Sequence, residues 1–292
     1  MKLFELGEWS LIDHLAKTLP IGDDAYVIPQ KENSLLFCCD TSVDGIHFDR
    51  DIMSFYEIGF RACACSISDI AGMGGVPLYA LVALGIPKDC EFSKVTELYS
   101  GMNDIASFFN MKIVGGDTVE SDKLVITISV LGETEKPITR DGSKAGDFIG
   151  VSGKLGGSKK GLQILREDRQ GFENLKKRYI MAMPRVKEGL ILKDMVTSMI
   201  DISDGLVMDL YHLSWASKNG MSIKKGLVPI DEGASLDDAL FGSDDYELLF
   251  TFSKDVSIPG FATVIGEVIN KEGVFLDGEM IEPKGYEHFR QI

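Results

Sequence analysis

The chain is short of positive charge, short of histidine and lacks any closely spaced cysteine pair, and each shortage removes a class of function. Thirty Lys and Arg residues stand against 45 Asp and Glu, a net charge of −15, with no long basic run. Nucleic-acid phosphates and anionic lipid surfaces attract Lys/Arg patches, so neither is expected as a partner. The four histidines (His14, His47, His212 and His288) are scattered, and the five cysteines (Cys38, Cys39, Cys63, Cys65 and Cys90) include no Cys-x-x-Cys pair. A zinc centre is therefore not expected, and an odd number of cysteines in apolar surroundings fits a reduced, cytoplasmic protein. Long apolar runs are missing too. The longest uncharged stretch, Ile70 to Pro87, is interrupted by Gly72, Gly74, Gly75, Pro77 and Gly85 and reads as helix end, turn and buried strand. Near the N-terminus Lys2, Glu5, Glu8 and Asp13 take the place of a basic segment followed by an apolar core, so no secretion signal is expected. Two common ATP-site templates are also absent: there is no Gly-x-x-x-x-Gly-Lys-Ser/Thr loop and no His-Arg-Asp or Asp-Phe-Gly of protein kinases.

What is present suits full-sized cores. At 292 residues with 45% hydrophobic side chains, two domains of mixed α and β structure are expected. Strand candidates are Leu35–Cys39, Leu78–Leu84, Met111–Val114 and Leu124–Leu131 in the first half, with helices over Phe55–Met73 and Phe92–Phe109. The first of these helices is so rich in Ala, Cys, Ser and Gly that it is expected to pack closely on another backbone. A polar, turn-rich stretch around Pro137 and Arg140-Asp141-Gly142-Ser143 divides the chain, giving expected domains of 1–136 and 137–292. The second half offers helices over Gly157–Glu167, Arg185–Met195 and Gly205–Lys218 and strands near Asp147–Ser152, Ser198–Ile202, Tyr246–Phe252 and Thr263–Val268.

Aspartates recur at the ends of apolar or glycine-rich stretches: Asp23-Asp24, Asp40, Asp69, Asp117, Asp201, Asp204 and Asp244-Asp245. Crowded carboxylates repel one another and resist desolvation, so a chain that clusters them suits a hard divalent cation, and Mg²⁺ favours oxygen ligands and substrate phosphates. Each has an ordinary alternative. Taken alone, Gly22-Asp23-Asp24 reads as a turn before it reads as a metal ligand, Asp69 reads also as a buried helix cap, and Ser203 or Asp204 as the cap of the following helix. Asp40 is expected to end a buried strand, and Asp117 to follow one on two glycines that let a backbone approach a phosphate or metal. Gly153-Lys154-Leu155-Gly156-Gly157-Ser158 could present backbone N–H groups to a phosphate at a helix start.

The order of these groups is more specific than any one of them. Gly22-Asp23-Asp24, Asp40-Thr41-x-x-x-Gly45-x-His47-Phe48, Ser68-Asp69-x-x-x-Met73-Gly74-x-x-Pro77, Gly115-Gly116-Asp117-Thr118, Asp201-x-Ser203-Asp204-Gly205-Leu206, Asp245-Tyr246-Glu247-Leu248 and Lys284-Gly285-Tyr286-x-His288-Phe289 together resemble the thiamine-monophosphate kinases. That family belongs to a superfamily that includes aminoimidazole ribonucleotide synthetase, selenophosphate synthetase and a hydrogenase-maturation enzyme. The reactive N-terminal and C-terminal cysteines of two of these relatives have no counterpart here.

The resemblance implies two mixed α/β domains, the N-terminal domains of a homodimer pairing through a barrel-like sheet, with ATP and several Mg²⁺ ions in the cleft. By that similarity Asp24, Asp40, Asp69, Asp117, Asp201 and Asp204 are metal ligands, Asp40, Asp69 and Asp117 being the catalytic group. Tyr99, Gly116, Arg140 and Ser203 match nucleotide-contacting positions, and His47, Asp244 and Tyr286 match positions that hold thiamine monophosphate. The chain departs from its relatives at Cys38-Cys39, where Ser or Thr is usual before the aspartate, and at Ser243-Asp244, where Gly-Glu is usual. The implied reaction is direct, in-line attack of the acceptor phosphate on the γ-phosphorus of ATP, which requires neither a covalent intermediate nor a general base. Transfer to another acceptor and nucleotide binding without catalysis are the competing expectations.

Overall fold

In the computed structural model, residues 7–19 and 22–289 are described; Lys2, Glu5 and Arg290-Gln291-Ile292 lie outside them. The elements are α1 (Glu8–Leu15), β1 (Tyr26–Ile28), β2 (Ser34–Val43), α2 (Phe55–Gly72), β3 (Val76–Ile86), α3 (Phe92–Phe108), β4 (Lys112–Glu120) and β5 (Val125–Thr134), then β6 (Phe148–Ser152), α4 (Gly157–Arg166), α5 (Glu173–Ile180), α6 (Val186–Leu192), β7 (Ser198–Asp201), α7 (Leu206–Ser217), β8 (Gly220–Ile223), α8 (Leu236–Phe241), β9 (Leu248–Phe252), β10 (Ala262–Ile269), β11 (Gly273–Leu276) and β12 (Glu279–Ile281). They build two mixed sheets, of order β1-β2-β5-β3-β4 and β12-β11-β8-β10-β6-β9-β7. The expected division at Pro137 falls in the connection between the last strand of one sheet and the first of the other.

The first sheet shows why period-two alternation reads as a half-covered strand. Along β5 every second residue is buried, and Ile126, Ile128 and Val130 point into a core shared with α2 and α3. Serine at the start of α2 forms a capping box, Ser54 with Glu57, which fixes where the helix begins. The small residues of α2 do bring backbones together: a Cβ on Gly59 would stand 2.0 Å from Leu98 O of α3, and one on Gly101 would stand 1.9 Å from Tyr56 O of α2.

The opposite face of this sheet is open and apolar. Tyr26, Phe37, Leu131 and Tyr79 form one rung across β1, β2, β5 and β3, and Thr41, Thr127, Ala83 and Asp117 form another across β2, β5, β3 and β4. Tyr26, Phe37, Tyr79, Leu81, Val114 and Val119 are all exposed. Within one chain the sheet is open, not closed into a barrel.

The second sheet carries two apolar cores, one with α7 and α8 and one around Met199, Phe250 and Phe252. Helix α6 lies against α2 and joins the halves. A buried ion network ties the start of α6 to the rest of the second half: Glu247, fully buried, receives both Arg178 and Arg185 and the Ser152 hydroxyl. Such a network is paid for in desolvation and suits a fixed geometry better than raw stability. Among the described residues no helix is long and apolar enough to cross a membrane.

Several strand ends lie elsewhere than the sequence suggests. β2 continues past Asp40 to Val43, so Asp40 stands within a strand opposite Ile128. β4 likewise runs on to Glu120 and places Asp117 in mid-strand opposite Ala83. The reason is Gly116: its φ is +153°, and a Cβ there would stand 1.7 Å from Val82 O, so a glycine that looks like a turn signal instead allows tight pairing of β3 with β4.

Candidate active site

A cavity of about 530 Å³ opens between the two halves, and its lining includes Asp40, His47, Asp69, Asp201, Ser203, Asp204, Asp244 and Tyr286. The first half contributes Asp40 from β2 and Asp69 from the last turn of α2. A carboxylate in a last turn meets the negative end of the helix dipole and is disfavoured there on helix grounds alone. The second half contributes Asp201, which ends β7, and Ser203 and Asp204 from the loop before α7.

Three carboxylates converge behind the cavity. Asp24, Asp69 and Asp201 can each offer an oxygen such that all three atoms lie within 4.8 Å of one another. Ser68 Oγ donates to Asp201 Oδ2 (2.6 Å) and joins α2 to β7 at this point. Burial raises Asp69 well above the usual carboxylate range, and Asp40, Asp201 and Asp24 raise it further by repulsion. Asp201 is raised by burial and by Asp24, and Asp40 by burial against a lowering bond from Ser66. Asp24 Oδ2 is buried without a hydrogen-bond partner. An all-oxygen donor set, mutual repulsion and an unpartnered oxygen fit a hard divalent cation such as Mg²⁺.

Arg140 is held in place at both its side chain and its backbone. Its guanidinium pairs with Asp24 Oδ1 while its backbone N–H donates to Asp23 Oδ1 (2.7 Å), so the connection between the sheets is pinned to the Asp23-Asp24 turn. Asp23 thereby acts as a turn anchor and Asp24 faces the cluster.

Neither Ser203 nor Asp204 caps α7. Asp209, in the first turn of that helix, accepts from the N–H groups of Asp204 (3.3 Å) and Gly205 (3.2 Å). Burial pushes Asp209 up to about 8 even though Arg140 opposes it. The helix start at Gly156 to Ser158 is also closed to a phosphate. Asp245 accepts from the N–H of Gly156 (2.6 Å) and of Ser158 (3.2 Å), filling the positive end of α4 with a carboxylate that burial raises to about 7.

Asp244 and Tyr246 flank that carboxylate with φ of +70° and +50°, an uncommon conformation for an aspartate and a costly one for a tyrosine. The alternation sends Asp245 to the helix and the other two side chains to the cavity. Asp244 pairs with Arg61 (3.1 Å) and accepts from Tyr246 Oη (3.1 Å), and Cys65 Sγ donates to Tyr246 Oη (2.9 Å). Burial works to lower Arg61, but Asp244, Tyr246, Cys65 and Tyr179 together outweigh it and the guanidinium stays charged over the Tyr179 ring, 4.2 Å from its centroid.

Sequence reasoning passed over Arg61, Lys159, Arg166 and Tyr179, all of which line the cavity. A lone arginine in the small, apolar run Phe60-Arg61-Ala62-Cys63-Ala64 was the available signal for Arg61, because a charge in such a helix needs a buried partner. Lys159 and Arg166 look like ordinary helix charges in the sequence. At the departure Cys38-Cys39, Cys38 Sγ points inward to Ser66 O (3.4 Å) and Cys39 faces the open side, where Ser129 Oγ donates to it (3.3 Å).

Five expected site residues do not line the cavity within one chain, and two of them, Asp24 and Arg140, pair with each other at the carboxylate cluster beside it. Tyr99 lies half-buried on α3 against the first core, and Gly116 and Asp117 lie on β4. Asp117 shares the outward rung with Thr41, while its neighbour Asp40 points to the opposite face; three strand spacings separate them, roughly 14 Å.

Residues 22–134 match the family described as AIR synthase related protein, N-terminal domain. Over the whole chain, the thiamine-monophosphate kinase of Aquifex aeolicus is 36% identical, covering 99% of this chain and 100% of its own. That of Bacillus subtilis is 33% identical, covering 96% of each. A solved structure described as AaThiL complexed with AMPPCP and TMP superposes with a TM-score of 0.95 at 36% identity, over 99% of both chains.

Proposed function

The chain belongs to the thiamine-monophosphate kinase family, and we propose that it transfers the γ-phosphoryl group of ATP to thiamine monophosphate, giving thiamine diphosphate and ADP in thiamine biosynthesis. The observation that carries this reading is the meeting of carboxylates from both halves at one cavity whose wall also holds Arg61, Lys159, Arg166, Tyr179 and Tyr286. Two phosphate-bearing substrates need their mutual repulsion suppressed and their reacting atoms held in line.

Asp24, Asp40, Asp69, Asp201 and Asp204, with Asp117, would hold Mg²⁺, and Asp40, Asp69 and Asp117 form the group nearest the transfer. Bound Mg²⁺ supplies neutralisation of the phosphate charge. Arg140 and Ser203, with Tyr99 and Gly116, are assigned to the nucleotide. His47, Asp244 and Tyr286 are assigned to thiamine monophosphate. Arg61, Lys159 and Arg166 add positive charge on the wall where an anionic acceptor enters. The acceptor oxygen is already anionic, so no side chain is needed to remove a proton, and the buried aspartates are left free of base duty.

A homodimer accounts for two of the outlying residues, Gly116 and Asp117. The open apolar face of the first sheet is the surface expected to pair, and pairing carries Gly116 and Asp117 of one chain toward the cleft of its partner. This reading keeps the two domains at 1–136 and 137–292. The odd number of cysteines, set in apolar surroundings without a Cys-x-x-Cys pair, supports a reducing, cytoplasmic setting.

The test is a product assay with ATP and Mg²⁺, using thiamine monophosphate beside free thiamine. Thiamine diphosphate from the monophosphate, with free thiamine inert, is the expected result. ADP release with free thiamine alone, or no diphosphate at all from folded protein, overturns the assignment.

A further inference from the structure

The C-terminal segment lines the cavity through Tyr286 and His288, and one backbone N–H sets the direction of the hydrogen bonds among its side chains. Val43 N–H donates to His47 Nδ1 (3.0 Å). A neutral imidazole has one N–H and one lone pair on its two nitrogens, so His47 carries its proton on Nε2. That atom lies 3.2 Å from His288 Nε2, which therefore accepts. His288 then carries its proton on Nδ1, 3.3 Å from Tyr286 Oη, and donates to it. The reverse direction would leave neutral His47 with no N–H at all. Burial holds His47 below the usual histidine value, and the neighbouring His288 acts in the same direction, so the neutral form is the relevant one.

The relay ends on a hydroxyl whose own hydrogen is uncommitted: among the described residues, Tyr286 Oη has no acceptor. The segment bearing it is fixed on both sides. Tyr286 N–H donates to Asp204 O (2.9 Å) and His288 N–H to Glu8 Oε2 (2.8 Å). Gly285 makes the approach possible, because a Cβ there would stand 2.5 Å from Asp204 O and 2.7 Å from Met208 Cβ. Tyr286, His288, His47 and Glu8 all line the cavity.

Given that thiamine monophosphate occupies this cavity, we infer that His288 is a positioning residue: its Nδ1–H fixes the Tyr286 hydroxyl so that the hydroxyl hydrogen faces an acceptor on the bound substrate. Thiamine monophosphate offers such acceptors in its phosphate oxygens and pyrimidine nitrogens. The strap therefore acts on substrate affinity, and His288 acts only through Tyr286.

The experiment is steady-state kinetics on His288→Ala, Tyr286→Phe and the double variant. Each single variant raises KM for thiamine monophosphate about five- to tenfold, the loss of one hydrogen bond, with kcat within about twofold and KM for ATP unchanged. The double variant is no worse than Tyr286→Phe alone, because removing His288 has no effect once its target hydroxyl is gone. An unchanged KM in His288→Ala, or the same factor from His288→Ala in both backgrounds, overturns the inference. A wild-type chain that forms no thiamine diphosphate overturns the proposed function and this role with it; an active wild type with an indifferent His288→Ala overturns only the role of His288.

Discussion

Arg140 pairs with one carboxylate oxygen of Asp24 and leaves the other buried without a partner, facing Asp69 and Asp201. One guanidinium cannot balance three carboxylates, and the surplus negative charge makes the metal-free fold sensitive to pH. Burial and repulsion raise Asp69 and Asp201 above their unfolded values. A carboxyl raised in the folded state favours folding below the unfolded pKa, near 3.9, and that contribution is lost as pH rises through the folded value. Mg²⁺ held by these carboxylates would replace the protons that are lost. The thermal midpoint is therefore expected to rise on adding Mg²⁺, and by more at pH 8 than at pH 5. Scanning fluorimetry at the two pH values checks this, and an equal rise at both would contradict the charge argument.

Substituting Asp69→Asn separates stability from function. The amide removes a charge from a crowded site, so the metal-free variant is expected to melt about 2–4 °C higher for each kcal/mol of relieved repulsion. Turnover is expected to fall at least about 100-fold, and the Mg²⁺-induced rise in midpoint to shrink. The same loss of turnover with an intact fold is expected for Asp40→Asn. Near-normal rates at saturating Mg²⁺ would remove these residues from the site.

The pair Arg61 and Asp244 is expected to behave as a unit. Arg61 is buried and Asp244 retains a side-chain exposure of 28%, so Arg61→Leu leaves a partly screened carboxylate and costs about 2–3 kcal/mol, below the range for fully buried pairs. In the double variant with Asp244→Asn, part of that loss returns. Denaturant unfolding of the four proteins measures the coupling. Strict additivity would show that the two side chains do not sense each other, leaving Tyr179 and Tyr246 as the support for Arg61.

Much of this arrangement was legible in the sequence, for identifiable reasons. A run of β-branched and aliphatic residues marked β5, small residues marked the close contact of α2 with another backbone, and the order of the aspartates placed Asp40, Asp69, Asp201, Ser203 and Asp204 at one cavity. The two helix starts were misread because both are satisfied by carboxylates from outside them: Asp209 from the next turn and Asp245 from the distant loop before β9. No local pattern encodes such a partner. Glycine misled at Gly116, where a residue that favours turns serves instead to let one strand approach another. The short helix α5 and the strands β8, β11 and β12 were also passed over, each being too brief to show a period.

Asp117 tests whether two chains share one site. It lies on the outward face of β4, away from Asp40, yet the motif series includes it among the metal ligands. If it serves the cleft of its partner, Asp69→Asn and Asp117→Asn are each inactive alone but complement when mixed. In a heterodimer one cleft then has an intact Asp69 and receives an intact Asp117, while the other lacks both. Random re-association of equal amounts gives half heterodimers, each with one working site, or roughly one quarter of wild-type activity. Activity should appear only after the chains are allowed to exchange. If Asp117 instead serves its own chain, every cleft in the mixture contains a defect and no activity returns.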